Sequence, residues 1–94
     1  MYYVYILLCG DGSLYTGTTN DVKKRLAAHE EGKGAKYTRG RRPLTLVYTE
    51  AHPNKQQALR REAALKKMRR AKKLELIQTS NLVSPPDGAG HAPL

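Results

Sequence analysis

The chain has 94 residues, room for one modest core and not for a second domain. Its 17 Lys and Arg against 8 Asp and Glu give a formal charge of +9, which points to an anionic partner, nucleic acid first. A single cysteine, Cys9, excludes an intrachain disulfide and a cysteine-based zinc cluster, and it suits a reducing, cytoplasmic setting.

Residues 2–9, "YYVYILLC", are rich in aromatic and β-branched types and read as a buried strand. No basic segment precedes this run and no small-residue cleavage site follows it, so it is expected to be neither a signal peptide nor a membrane span. Alternation puts Tyr3, Tyr5 and Leu7 on one face and Val4, Ile6 and Leu8 on the other, with one face expected to be the aliphatic core. "GDGS" supplies a tight turn, and "SLYTGT" (13–18) pairs back as a second strand. Gly17 within that strand weakens it, and such a glycine often marks a place where another backbone or a ligand comes close.

"TND" offers capping oxygens for a helix "VKKRLAAHEEG" that ends near Gly32, with Val22, Leu26 and Ala27 facing inward. Arg25 and His29 lie one turn apart, about 40° from each other around the helix axis. The run "KGAKYTRGRRP" is a cationic loop, and "LTLVYTEA" alternates as a third strand. A second helix starts at Asn54 and runs to about Met68. A short third helix over 70–77 turns Leu74 and Ile77 inward, and from Gln78 onward the Pro, Gly and Ser content predicts a flexible tail. The order β-β-α-β-α-α places the chain in the α+β class, a small sheet covered by helices, with 1–77 as the domain.

Charge is distributed unevenly: cations gather at 33–42 and 60–73, while residues 1–19 carry Asp11 alone. Between residues 51 and 74 nine cations surround one acid, Glu62, three residues from both Leu59 and Leu65 on the expected apolar stripe. An inward carboxylate is costly unless paired or metal-bound, so Glu62 is either a salt-bridge partner of Arg25 or Arg61 or the ligand of a hard divalent cation. Tyr5 and Tyr15 are unremarkable as β formers, the alternative being groups that position or deprotonate a water. Arg25 either lays its stem over the core or aims its fork at a phosphate. His29 is a surface residue or a proton shuttle. A free tyrosine has a pKa near about 10, so a tyrosine base is expected to need nearby cations.

The order and spacing of these residues resemble the GIY-YIG nuclease family, especially its small stand-alone bacterial members, over nearly all of 1–77. "YVYIL" stands for the first half-motif, with Tyr5 in the place of its tyrosine; "LYTG" stands for the second, with Tyr15 and Gly17. Arg25 in "DVKKRLAAH" matches the family's helix arginine, His29 its histidine or tyrosine one turn later, and Glu62 in "ALRREAALK" its metal-binding glutamate. Tyr3 and Thr16 depart from the half-motifs, Thr18 stands where some members have lysine, and a helical asparagine of several members has no counterpart, Asn81 lying too late.

The resemblance implies a three-stranded antiparallel sheet flanked by helices. It further implies an endonuclease that hydrolyses DNA phosphodiester bonds with one Mg²⁺ or Mn²⁺ on Glu62, structure-selective in repair or recombination. Tyr5, Tyr15, Arg25, His29 and Glu62 would form the catalytic set. Lys33, Lys36, Tyr37, Arg39, Arg41 and Arg42 would track the nucleic acid, DNA rather than RNA, with stacking from the Tyr37 ring. With no separate recognition domain in sight, target choice falls to the shape of the nucleic acid or to a partner protein. The rival readings are a DNA- or RNA-binding module of the same fold that does not cut, and a protein whose basic face docks on an acidic partner.

Overall fold

A computed structural model describes residues 1–82. The elements are β1 (Tyr2–Leu8), β2 (Leu14–Thr19), α1 (Val22–Glu30), β3 (Thr45–His52), α2 (Lys55–Lys66) and α3 (Arg70–Leu82), with one 3-10 turn over Lys36–Thr38. The α+β class and the element order agree with the expectation. The sheet is antiparallel in the order β2-β1-β3, so the most apolar strand takes the centre.

A central strand needs cover on both sides, and both faces of β1 are core, not one. Tyr5, Leu7 and Cys9 pack with Leu44, Tyr15, Leu26 and Leu46 on the α1 side. Val4 packs with Ala58, Leu65, Tyr2, Met68 and Leu76 on the side covered by α2 and α3. A bulge opposite Ile6 and Leu7 shifts the β3 register, pairing Ile6 with Tyr48 but Leu7 with Leu46. The extra residue lets Leu46 join the first core while Tyr48 faces the second.

Asp21 caps α1 by accepting from the Lys24 amide at 3.1 Å, and Asn54 caps α2 by accepting from the Gln57 amide at 2.9 Å. Three inward assignments change. On α1 it is His29, not Ala27, that is buried alongside half-buried Val22 and Leu26. On α2 the buried residues are Ala58 and Leu65, with Leu59 exposed. On α3 Ile77 is buried as expected, but Leu76 joins the core and Leu74 is exposed. Helix α3 also continues to Leu82, into the segment expected to be tail; residues 83–94 of that segment lie outside the described residues.

Beside the second core, Tyr48, Glu50 and His52 alternate along β3 toward α2. Arg61 of α2 donates to Glu50 at 2.8 Å, and His52 Nε2 lies 2.7 Å from the same carboxylate. Burial pushes Glu50 up, but the hydrogen bonds from Tyr48, His52 and Arg61 outweigh it and hold its pKa below the usual carboxylate value. This network locks α2 onto the β3 edge and leaves the β2 edge to other chemistry.

Candidate active site

The site grows from the register of β1 and β2. Tyr5 pairs with Gly17 and Leu7 with Tyr15, so the two tyrosines lie on the α1 face of the sheet, ring centroids 6.3 Å apart. A Cβ at Gly17 would lie 2.5 Å from the Tyr5 hydroxyl, so the glycine is what lets that hydroxyl sit against the β2 backbone. From above, α1 lowers His29 edge-on against both tyrosine rings, at 5.8 and 5.4 Å.

His29 is fully buried and hydrogen-bonded at both nitrogens: Nε2 to the Tyr5 hydroxyl at 2.8 Å and Nδ1 to the Thr38 hydroxyl at 2.8 Å. One turn earlier, Arg25 Nε donates to the Tyr5 hydroxyl across 3.4 Å. The same guanidinium also interacts with the Tyr15 side chain, so both tyrosines face its charge. A half-buried guanidinium beside two phenols has the forked donor geometry that matches a phosphate.

Burial is the largest influence on Tyr5 and raises its pKa; the Arg25 hydrogen bond lowers it, while the neighbouring Tyr15 and the negative charge of Glu62 add to the rise. Contrary to the expectation that cations would lower it, the phenol at rest keeps its proton. Burial and the Arg25 charge hold His29 below the usual histidine value, against a smaller upward pull from Glu30. The pair is therefore neutral at pH 7, with a protonated phenol facing an imidazole that can accept.

Glu62 lies on the other pleat of β2. Thr18, which pairs with Val4, donates to Glu62 Oε1 at 2.8 Å, and Lys66 one turn along α2 contacts Oε2 at 3.0 Å. Neither expected salt-bridge partner is used, since Arg61 serves Glu50 and Arg25 serves Tyr5. Lys73 of α3 reaches Thr16 on the same pleat at 3.4 Å. Tyr5, Tyr15, Arg25 and His29 thus converge in direct contact, and Glu62 sits across the β2 edge from them, near enough for its charge to act on Tyr5. The donors at Glu62, a part-exposed carboxylate and a hydroxyl, are hard oxygens that fit a magnesium-type ion needing one or two carboxylates plus water and phosphate. Among the described residues no group of three or more His, Cys, Asp or Glu side chains comes together, so such an ion would draw its remaining ligands from water and substrate.

The cationic loop is divided in its duties. Tyr37 stacks on Tyr15 at 5.8 Å, and the Arg41 guanidinium lies 4.0 Å over the Tyr37 ring. Arg41 also holds Asp11 at 2.9 Å, and Arg42 donates to the Glu30 carbonyl at 2.7 Å, closing the loop onto the first hairpin and the end of α1. Lys33 lies 3.7 Å from Glu31, while Lys36 and Arg39 point into solvent with no acidic partner among the described residues. An open cleft lined by Tyr3, Asn20, Val22 and Leu46 lies on the same sheet face but includes none of the five candidate catalytic residues.

Sequence reasoning missed Thr38, Thr18 and Lys73. Thr38 sits in a loop without periodicity, and its one signal is a neutral hydroxyl amid a run of cations.

Residues 1–75 match the family described as the GIY-YIG catalytic domain. A UPF0213 protein of Streptococcus sanguinis is 58% identical over 76 residues, 81% of this chain and 87% of that one. The solution NMR structure of a UPF0213 protein of Bacillus halodurans shares 52% identity with a TM-score of 0.55, covering 92% of this chain and 89% of that chain. That of a protein from E. faecalis shares 40% with a TM-score of 0.60, covering 89% and 90%. With a buried tyrosine–histidine pair under an arginine helix and a match over four fifths of its length, the chain belongs to the GIY-YIG family, and its relatives are the small UPF0213 proteins.

Proposed function

We propose that this protein is a metal-dependent endonuclease that hydrolyses phosphodiester bonds in DNA, acting in the cytoplasm on structured DNA during repair or recombination. The observation that carries the reading is the Tyr5 hydroxyl, held between His29 Nε2 at 2.8 Å and the Arg25 guanidinium. A buried phenol set between a proton acceptor and a cation is placed so that its proton can move and its oxygen can face an anion, which supports the reading.

In this reading the Arg25 guanidinium takes the scissile phosphate and holds it against the tyrosines. A water beside Tyr5 gives its proton to the Tyr5 oxygen as the Tyr5 proton passes to His29 Nε2. The resulting hydroxide attacks phosphorus, the P–O bond to the leaving strand breaks, and the departing oxygen keeps the electron pair and takes a proton from solvent. Tyr15, packed against both rings, orients the phenol. Glu62, with the Thr18 hydroxyl beside it, would hold Mg²⁺ or Mn²⁺, whose chemistry is to neutralise charge on the phosphate and the leaving oxygen. Lys66 keeps the carboxylate paired until then. Lys36, Arg39 and the exposed edge of Tyr37 guide the nucleic acid, and the +9 charge makes binding weaken with salt.

The test separates cutting from gripping. With Mg²⁺ or Mn²⁺, Glu62→Ala should lose roughly a thousandfold in nicking rate, the scale of several kcal/mol of charge stabilisation. Its affinity for the same DNA in a filter or anisotropy assay should stay near that of the native chain. Equal nicking by both proteins sinks the metal-bound role of Glu62; DNA binding with no cutting in any divalent metal favours the non-catalytic binding module.

A further inference from the structure

The hydrogen bonds around His29 fix more than its position. Thr38 is fully buried, and its hydroxyl donates to the Ala35 carbonyl at 2.9 Å. Its single proton being spent there, the hydroxyl oxygen faces His29 Nδ1 as an acceptor, so Nδ1 carries the imidazole proton. Nε2 is then bare and accepts from Tyr5, whose oxygen receives from Arg25 on its other side. In this arrangement every proton has an acceptor. In the opposite tautomer Thr38 would turn from Ala35 to Nδ1, Nε2–H would donate to Tyr5, and the Tyr5 proton would lose its acceptor at His29. The same loop also packs its backbone close to the ring, since a Cβ at Gly34 would overlap His29 Nδ1. No charged side chain of the loop faces the imidazole; its titratable neighbours are Arg25 and Glu30 on α1, Tyr5 on β1 and Tyr15 on β2.

We propose that Thr38 is a positioning residue for the hydrolytic reaction, holding His29 as the Nδ1–H tautomer so that Nε2 stays open to the Tyr5 proton. The inference rests on the nuclease reading above. It also gives the cationic loop a second duty. Lys36 and Arg39 face outward from the 3-10 turn and its end, Tyr37 lies over Tyr15 with one edge exposed, and Thr38 faces inward, so the segment proposed to meet nucleic acid also sets the proton acceptor of the site.

The experiment reads the His29 tautomer by long-range ¹H–¹⁵N NMR correlation, alongside nicking kinetics of the native chain, Thr38→Val and Thr38→Ser. The native chain should show His29 protonated at Nδ1. Thr38→Val keeps the shape without the hydroxyl and should move the proton toward Nε2, lowering kcat by about ten- to a hundredfold, the scale of losing an orienting partner. KM should change by less than about twofold, since substrate contacts are untouched. Thr38→Ser should restore both tautomer and rate. A native His29 protonated at Nε2 overturns the proposal even if Thr38→Val does not fold. So does a Thr38→Val that keeps the Nδ1 proton or the native kcat, or a Thr38→Ser as slow as Thr38→Val. A native chain protonated at Nδ1 that cuts no nucleic acid instead overturns the nuclease reading, and the catalytic meaning of Thr38 with it.

Discussion

At Tyr5, burial and a neighbouring guanidinium act on one proton in opposite senses, and burial wins. The proton therefore stays until something takes it, and the neutral imidazole 2.8 Å away is the group in place to do so. The crowding that makes this work is testable at Gly17. Gly17→Ala would put a methyl 2.5 Å from the Tyr5 hydroxyl, and β2 or the phenol must move by a fraction of an ångström. Nicking should fall by about a hundredfold, the effect of misplacing a reacting group by roughly 1 Å, while circular dichroism keeps the α+β signature. Acid should act on His29. Its folded pKa lies below the unfolded value of about 6.5, so between the two the unfolded chain binds more protons. Stability is full above about pH 6.5 and declines as pH falls through that window, a slope that urea titrations at pH 7.5 and 5.5 should show and that His29→Gln should flatten. The sequence was legible for Tyr5, Tyr15, Arg25 and His29 as residue types at a spacing. It could not show that His29 is interior, because one polar residue on a short helix looks the same whether it meets water or a buried phenol.

At the scale of elements, helix periodicity located α2 and α3 but misread their faces. Leu59 and Leu65 are six residues apart, about 120° around the axis, whereas Ala58 and Leu65 are seven apart and nearly aligned. The small alanine, not the larger leucine, therefore marks the buried line, and Glu62 borders it. On α3 the inward set is Lys73, Leu76 and Ile77, with a lysine stem occupying a place that pattern reading gave to Leu74. Burial pushes the Lys73 amine down, helped by the charge of Lys66, as expected for an ammonium drawn under the helix toward Thr16. The consequence is a contrast in stability. Leu65→Ala should cost about 2–5 kcal/mol of unfolding free energy, while Leu59→Ala and Leu74→Ala should each stay within about 0.5 kcal/mol. Chemical denaturation of the three variants decides it. A large loss at Leu59 would mean that the α2 face is wrongly assigned.

The described residues form a three-stranded sheet covered on both faces, with the candidate site residues on β1, β2, α1 and α2 and a cationic loop beside them. Tyr5 and Tyr15 face α1, Thr18 faces α2 and meets Glu62 of that helix, and β2, which carries Tyr15 and Thr18 on opposite pleats, is an edge strand. That topology was not legible from spacing, since alternation gives two faces without saying which strand lies at the rim. The loop beside the site touches it twice, Thr38 on His29 and Tyr37 on Tyr15, with Arg41 lying over the Tyr37 ring. The central claim is that the Tyr5 hydroxyl takes part in phosphodiester hydrolysis. Its most direct measure is the conversion of supercoiled DNA to nicked circles in Mg²⁺ or Mn²⁺ by the native chain and by Tyr5→Phe, which keeps the ring and removes the oxygen. The native chain should nick, and Tyr5→Phe should be slower by about 10²–10⁴-fold, the range for loss of a general acid–base group, with DNA affinity little changed. Equal nicking by the two proteins, or none by the native chain in either metal, would contradict it.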